Sequence, residues 1–143
     1  MKKTVYISGP ITGKKDYVGT FERAEELLNS AGFIALNPAR LPEGMTNEQY
    51  MRINFSMIDS ADAVLFLDGW EMSRGASLEC SYCMYTQKPF GCTVESIKER
   101  INERPAASRS KLSVLLSQLT TAQLSELEEL VMSICTPESE ASA

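Results

Sequence analysis

The 143-residue chain contains no histidine, and no apolar run in it approaches the roughly 20 residues that span a bilayer. The first absence weakens the case for a bound metal. Cys80-x-x-Cys83 is the one pair with metal-like spacing, but no second pair accompanies it and there is no imidazole to complete a set. It reads as two small buried residues of a helix. The second absence excludes a membrane-spanning helix. The Met-Lys-Lys start is followed by only a few apolar residues, unlike a secretory signal. Cys80, Cys83, Cys92 and Cys135 lack framework spacing, so the thiols are expected to be reduced and the protein cytoplasmic. Basic charge is also lacking. The formal net charge is −5, and every Lys and Arg lies at or before Lys111. Beyond it, Glu126, Glu128, Glu129, Glu138 and Glu140 carry the whole excess. A balanced body with an acidic tail has no footprint for nucleic acid or an anionic membrane, which leaves small molecules and proteins as partners.

At 43% hydrophobic content the chain can bury one sizeable core, and a second full domain would not fit comfortably. Its organising stretch is Ala61-Asp62-Ala63-Val64-Leu65-Phe66-Leu67-Asp68-Gly69-Trp70-Glu71-Met72-Ser73-Arg74-Gly75-Ala76-Ser77-Leu78-Glu79. Residues 64–67 read as a buried parallel strand opening into a polar loop, the place where open α/β sheets bind ligands. Ser73 can cap the following helix. Glu79 then falls in the first two turns, where the helix dipole modestly favours an ionised carboxylate, a possible nucleophile. The alternative is a solvated surface glutamate.

In chain order, Thr4-Val5-Tyr6-Ile7 reads as the first strand, ending in the small-residue loop Ser8-Gly9-Pro10-Ile11-Thr12-Gly13. Such a loop can hold a phosphate or sugar oxygen on amides and hydroxyls, or it is an ordinary connecting turn. It matches neither the Walker spacing nor Gly-x-Gly-x-x-Gly, and no cofactor is implied. Residues 17–31 carry Phe21, Ala24, Leu27 and Leu28 at helical spacing and stop at Gly32. Phe33-Ile34-Ala35-Leu36 is a second strand, residues 47–60 a second helix, and residues 88–94 permit a short fourth strand before a helix over 95–102. The alternation implies a parallel sheet of four to five strands with helices on both faces. Residues 1–103 form this α/β domain and 104–110 a linker. Residues 111–136 are expected to form a helical appendage with two leucine stripes, and 137–143 a disordered end.

Tyr6-Ile7-Ser8-Gly9-Pro10-Ile11-Thr12-Gly13, Gly32, Asn37-Pro38-Ala39, Tyr50-Met51-Arg52, Ala61-Asp62-Ala63 and Gly69-Trp70-Glu71-x-Ser73-x-Gly75-Ala76-x-x-Glu79 together resemble the DUF4406 family. That family is similar to the nucleoside 2-deoxyribosyltransferases and the deoxynucleoside 5′-monophosphate N-glycosidases. The resemblance runs over residues 4 to about 91. It implies a flavodoxin-like sheet and cleavage of an N-glycosidic bond by a glutamate matching Glu79. It also sets Asn54 where those relatives carry an aspartate, and an amide cannot supply the leaving base with a proton. Asp59 lies one and a half helical turns further on. Six residues before the nucleophile the transferases carry an aspartate and the monophosphate hydrolases a serine. Ser73 stands there, and a neutral hydroxyl tolerates a 5′-phosphate.

The chemistry follows from the bond. Its cleavage passes through an oxocarbenium-like transition state, which a carboxylate beneath the anomeric carbon stabilises or traps as an ester. Glu79 is the expected nucleophile, with Asn54 beside the leaving group. Ser8, Gly9, Pro10, Ile11, Asp68, Gly69, Trp70, Ser73 and Gly75 are the expected walls for a nucleoside or nucleotide. Trp70 either stacks on a base or packs its loop, and Asp68 can meet a ribose hydroxyl. Tyr6 and Tyr17 read as structural, and Asp62, at the far end of its strand, as a cap or turn residue. Two other readings compete: a nucleotide-binding module without turnover, and a protein-interaction module working through the acidic tail. The relatives close their sites with a neighbouring subunit, and the leucine stripes need cover, so a homodimer or higher homo-oligomer is expected.

Overall fold

The computed structural model describes residues 1–103 and the helical, exposed Glu126. The rest of the expected linker, helical tail and terminal segment lies outside the described residues. The chain divides into two units, Met1–Ile101 and Asn102–Ala143, and the sheet belongs to the first.

Among residues 1–103, four strands alternate with four helices: β1 (Thr4–Ser8), α1 (Tyr17–Ser30), β2 (Ile34–Leu36), α2 (Asn47–Ser60), β3 (Ala63–Phe66), α3 (Arg74–Thr86), β4 (Phe90–Gly91) and α4 (Val94–Asn102). All pairings are parallel, in the order β2-β1-β3-β4. This is the start of the flavodoxin-like order, and it reverses direction between β1 and β3, where ligands of such sheets bind. All four residues of β3 are buried, as a strand covered on both faces requires.

Alternation along β1 and β3 divides the core in two. Val5, Ile7, Ala63 and Leu65 face Phe21, Ala24 and Leu28 of α1 and Ile97 of α4. Tyr6, Val64 and Phe66 face Ile58 of α2 and Cys80 and Cys83 of α3. Both α3 thiols are buried, and desolvation raises the Cys83 thiol to about 12.

Local chemistry sets the helix starts. Thr46 and Gln49 form a reciprocal capping box at α2, and the Ser73 hydroxyl accepts from the Ala76 amide at α3. One helical position departs from the apolar spacing: Leu27 is 62% exposed, because the stripe of α1 that meets the sheet is Phe21, Ala24 and Leu28.

Candidate functional site

Residues of β1 alternate between faces, so Tyr6 and Ser8 project to the same side, under α2 and α3. There they meet Glu79, in the second turn of α3. The Tyr6 hydroxyl donates to Glu79 Oε1 at 3.0 Å and the Ser8 hydroxyl to Oε2 at 2.5 Å. Asn54 of α2 donates through Nδ2 to Oε1 at 3.3 Å, while its buried Oδ1 has no partner. Three elements therefore close on one carboxylate at the carboxyl end of β1, the position that the reversal of strand order opens to ligands.

Glu79 is 4% exposed, which rules out a solvated surface glutamate. Among the described residues no Lys or Arg pairs with it. Burial raises its carboxyl to about 7, against the opposing hydrogen bonds from Ser8, Tyr6 and Asn54. The sequence pointed to a carboxylate favoured in its ionised form by the helix dipole. Desolvation outweighs that modest effect and reverses the direction. Tyr6 moves the same way: its phenol lies well above the ordinary value through burial and then the charge of Glu79.

The remaining wall residues are distributed less evenly. Gly9 is needed for fit, since a Cβ there would stand 3.0 Å from Leu67 Cβ, at the point where the Leu67 amide donates to the Ser8 carbonyl. A Cβ at Gly69 would come within 3.7 Å of Pro10, which sets the loops after β1 and β3 near one another. Gly69 itself has φ of 83°, a left-handed conformation that suits glycine. Ser73 spends its hydroxyl on the cap of α3, and a Cβ at Gly75 would lie 3.9 Å from Met51 Sδ. Asp68 is exposed in the loop. Trp70 packs, with its ring centroid 5.1 Å from that of Phe66. Ile11 packs against the cluster of α1 and α4, on the opposite face from Glu79. Asp62, at the far end of β3, accepts from the Thr4 amide at 2.8 Å. Asp59 is held by Tyr82 at 2.6 Å.

Tyr6 is the residue that sequence reasoning missed as part of this cluster. The signal was available, since it stands two positions before Ser8 on a strand whose side chains alternate. An open groove of about 410 Å³ borders Leu36, Arg52, Ile53, Ser56, Met57 and Ser60. It draws on residues of α2 other than Asn54 and does not include Glu79.

Fold and site together define a flavodoxin-like α/β protein with a desolvated carboxylate at the topological switch point of its sheet. The chain belongs to the DUF4406 family, a domain of unknown function, whose family model matches residues 3–90. That span contains all four strands apart from Gly91 and every residue of the Glu79 cluster. No curated protein matches the chain.

Proposed function

We propose that the protein cleaves the N-glycosidic bond of a nucleoside or nucleoside 5′-monophosphate, by hydrolysis or transfer, with Glu79 as nucleophile. One observation supports this most: an ionisable carboxylate is buried at the ligand end of the sheet and, among the described residues, is held by neutral donors without a cation. A structural carboxylate so placed would be replaced by a neutral group at no loss of packing, because burying a charge without a partner is costly. An unpaired carboxylate in this position makes sense where its charge is used.

The hydrogen bonds also distinguish the two oxygens. Oε1 accepts from both Tyr6 and Asn54, whereas Oε2 accepts from Ser8 alone. Oε2 keeps more free lone-pair capacity and is the oxygen assigned to attack the anomeric carbon. Its partners hold the carboxylate in one orientation, which shortens the search for an attack geometry. Because Glu79 is buried, its surroundings must open for a substrate to reach it. That enclosure favours a restricted, water-poor site for the oxocarbenium-like species. We propose a cytoplasmic protein that assembles as a homodimer or higher homo-oligomer, an assembly inferred from the leucine stripes in the sequence of residues 111–136.

The test is release of free base from nucleosides and nucleotides, followed by chromatography. Glu79→Gln and Glu79→Ala are each expected to abolish release while preserving the helical circular dichroism signal. Near-normal turnover by Glu79→Gln removes the nucleophile.

A further inference from the structure

We infer that the site selects an N-glycoside whose base already carries a positive charge, and that an N-ribosylpyridinium such as nicotinamide mononucleotide is its type of substrate. This rests on the reading of Glu79 as nucleophile. Two features of the cluster lead there.

The first is charge. Buried carboxylates are ordinarily paired, yet the partners of Glu79 are a phenol, an alcohol and an amide. A cationic ring brought against the carboxylate would supply the missing countercharge, in surroundings where water screens little. It would also hold Glu79 ionised at neutral pH, against the desolvation that otherwise favours the protonated form.

The second is the lack of a proton donor for the leaving base among the described residues. A neutral base leaves as an anion and needs a proton as the bond breaks, a contribution of about 10²–10⁴-fold when a general acid provides it. Around Glu79, Asn54 is an amide and cannot ionise, the Ser8 hydroxyl is spent on Oε2, and the Tyr6 phenol is spent on Oε1 and holds its proton more tightly than usual. The groups facing the carboxylate from β1 and α2 are these three, and from α3 the buried Cys83 thiol, whose proton is also held tightly. Asp68 and Glu71 are exposed in the loop after β3 and make no hydrogen bond to Glu79.

A pyridinium needs no donor. As Glu79 Oε2 bonds to the anomeric carbon, the carbon–nitrogen bond breaks and its electron pair passes to the ring nitrogen, which departs neutral. Water then attacks the anomeric carbon, the ester bond breaks with its electrons returning to Glu79, and one proton passes to solvent. The net change is one water consumed, one neutral base freed and one proton released.

The full chain is tested for base release from nicotinamide mononucleotide, dCMP and dAMP, with a pH indicator counting protons. Binding of nicotinamide mononucleotide is compared by calorimetry with that of its reduced form, whose ring is uncharged, whose phosphate is the same and whose shape is nearly the same. Nicotinamide release is expected to exceed release from dCMP and dAMP by about 10²-fold or more, with one proton per turnover. The oxidised form is expected to bind about tenfold or more tighter than the reduced form, and Glu79→Gln to remove that preference. Asn54→Asp is expected to narrow the rate ratio by helping the neutral bases. If dCMP or dAMP is cleaved as fast as nicotinamide mononucleotide, the inference is overturned and the glycosidase reading stands. If the charge preference in binding is present and depends on Glu79 but no base is released from any substrate, the glycosidase reading falls and the inference, which names a substrate, falls with it. If neither release nor preference is seen, both fall.

Discussion

Glutamine at position 79 is expected to stabilise the folded chain above neutral pH while leaving it nearly unchanged in acid. In the unfolded chain this carboxyl titrates near 4.5, and in the folded chain at about 7, because burial outweighs the three hydrogen bonds that favour the anion. Between those values the folded state keeps the proton and the unfolded state gives it up. Stability therefore falls as pH rises through this window, by about 1.4 kcal/mol per pH unit, and levels off above it. The accumulated cost is on the order of 3 kcal/mol, a large part of the stability of a domain this size. Glutamine escapes the titration and keeps the contacts. Its carbonyl oxygen can accept from Tyr6 and Asn54, and its amide can donate to the Ser8 hydroxyl, which turns to accept. Urea unfolding of both proteins from about pH 5 to about pH 8.5 isolates the effect, since all other groups titrate in common. The advantage of Glu79→Gln should grow steadily to about pH 7 and then flatten. An advantage that does not change with pH, or one largest in acid, would refute a desolvated carboxylate at this position.

Three further outcomes follow from the geometry. Ser73→Asp keeps a good cap on α3 and should change stability by no more than about 0.5 kcal/mol, yet weaken binding of a nucleoside monophosphate relative to its nucleoside; equal weakening of both would confine Ser73 to capping. Gly9→Ala puts a methyl 3.0 Å from Leu67 Cβ, and is expected to cost about 1–3 kcal/mol in urea unfolding and to disturb Ser8 next to it, so a variant as stable as the parent would show that the two loops give way freely. Light scattering of the full chain should return a dimer or larger, and a chain ending at Ser108 should lose it; a monomeric full chain would end the assembly proposal.

The order of strands and helices was legible because it is written in local periodicity. Apolar runs of four or five residues ending in glycine- and proline-rich loops, separated by helical stripes, leave little besides a parallel sheet with helices on both faces. Glu79 was also legible as a candidate, since its loop, its cap and its distance from Ser73 are all local. What surrounds its carboxylate was not. Tyr6 and Ser8 reach it across 73 and 71 positions of sequence, and Asn54 across 25, so their convergence exists only once α2 and α3 pack on the sheet. That packing turned Tyr6 from a core residue into a partner of the candidate nucleophile, sent Ile11 to the opposite face and gave Trp70 to Phe66. It also decided the protonation of Glu79, because the free energy of a charge depends on the water removed from around it, and no stretch of sequence states how much is removed.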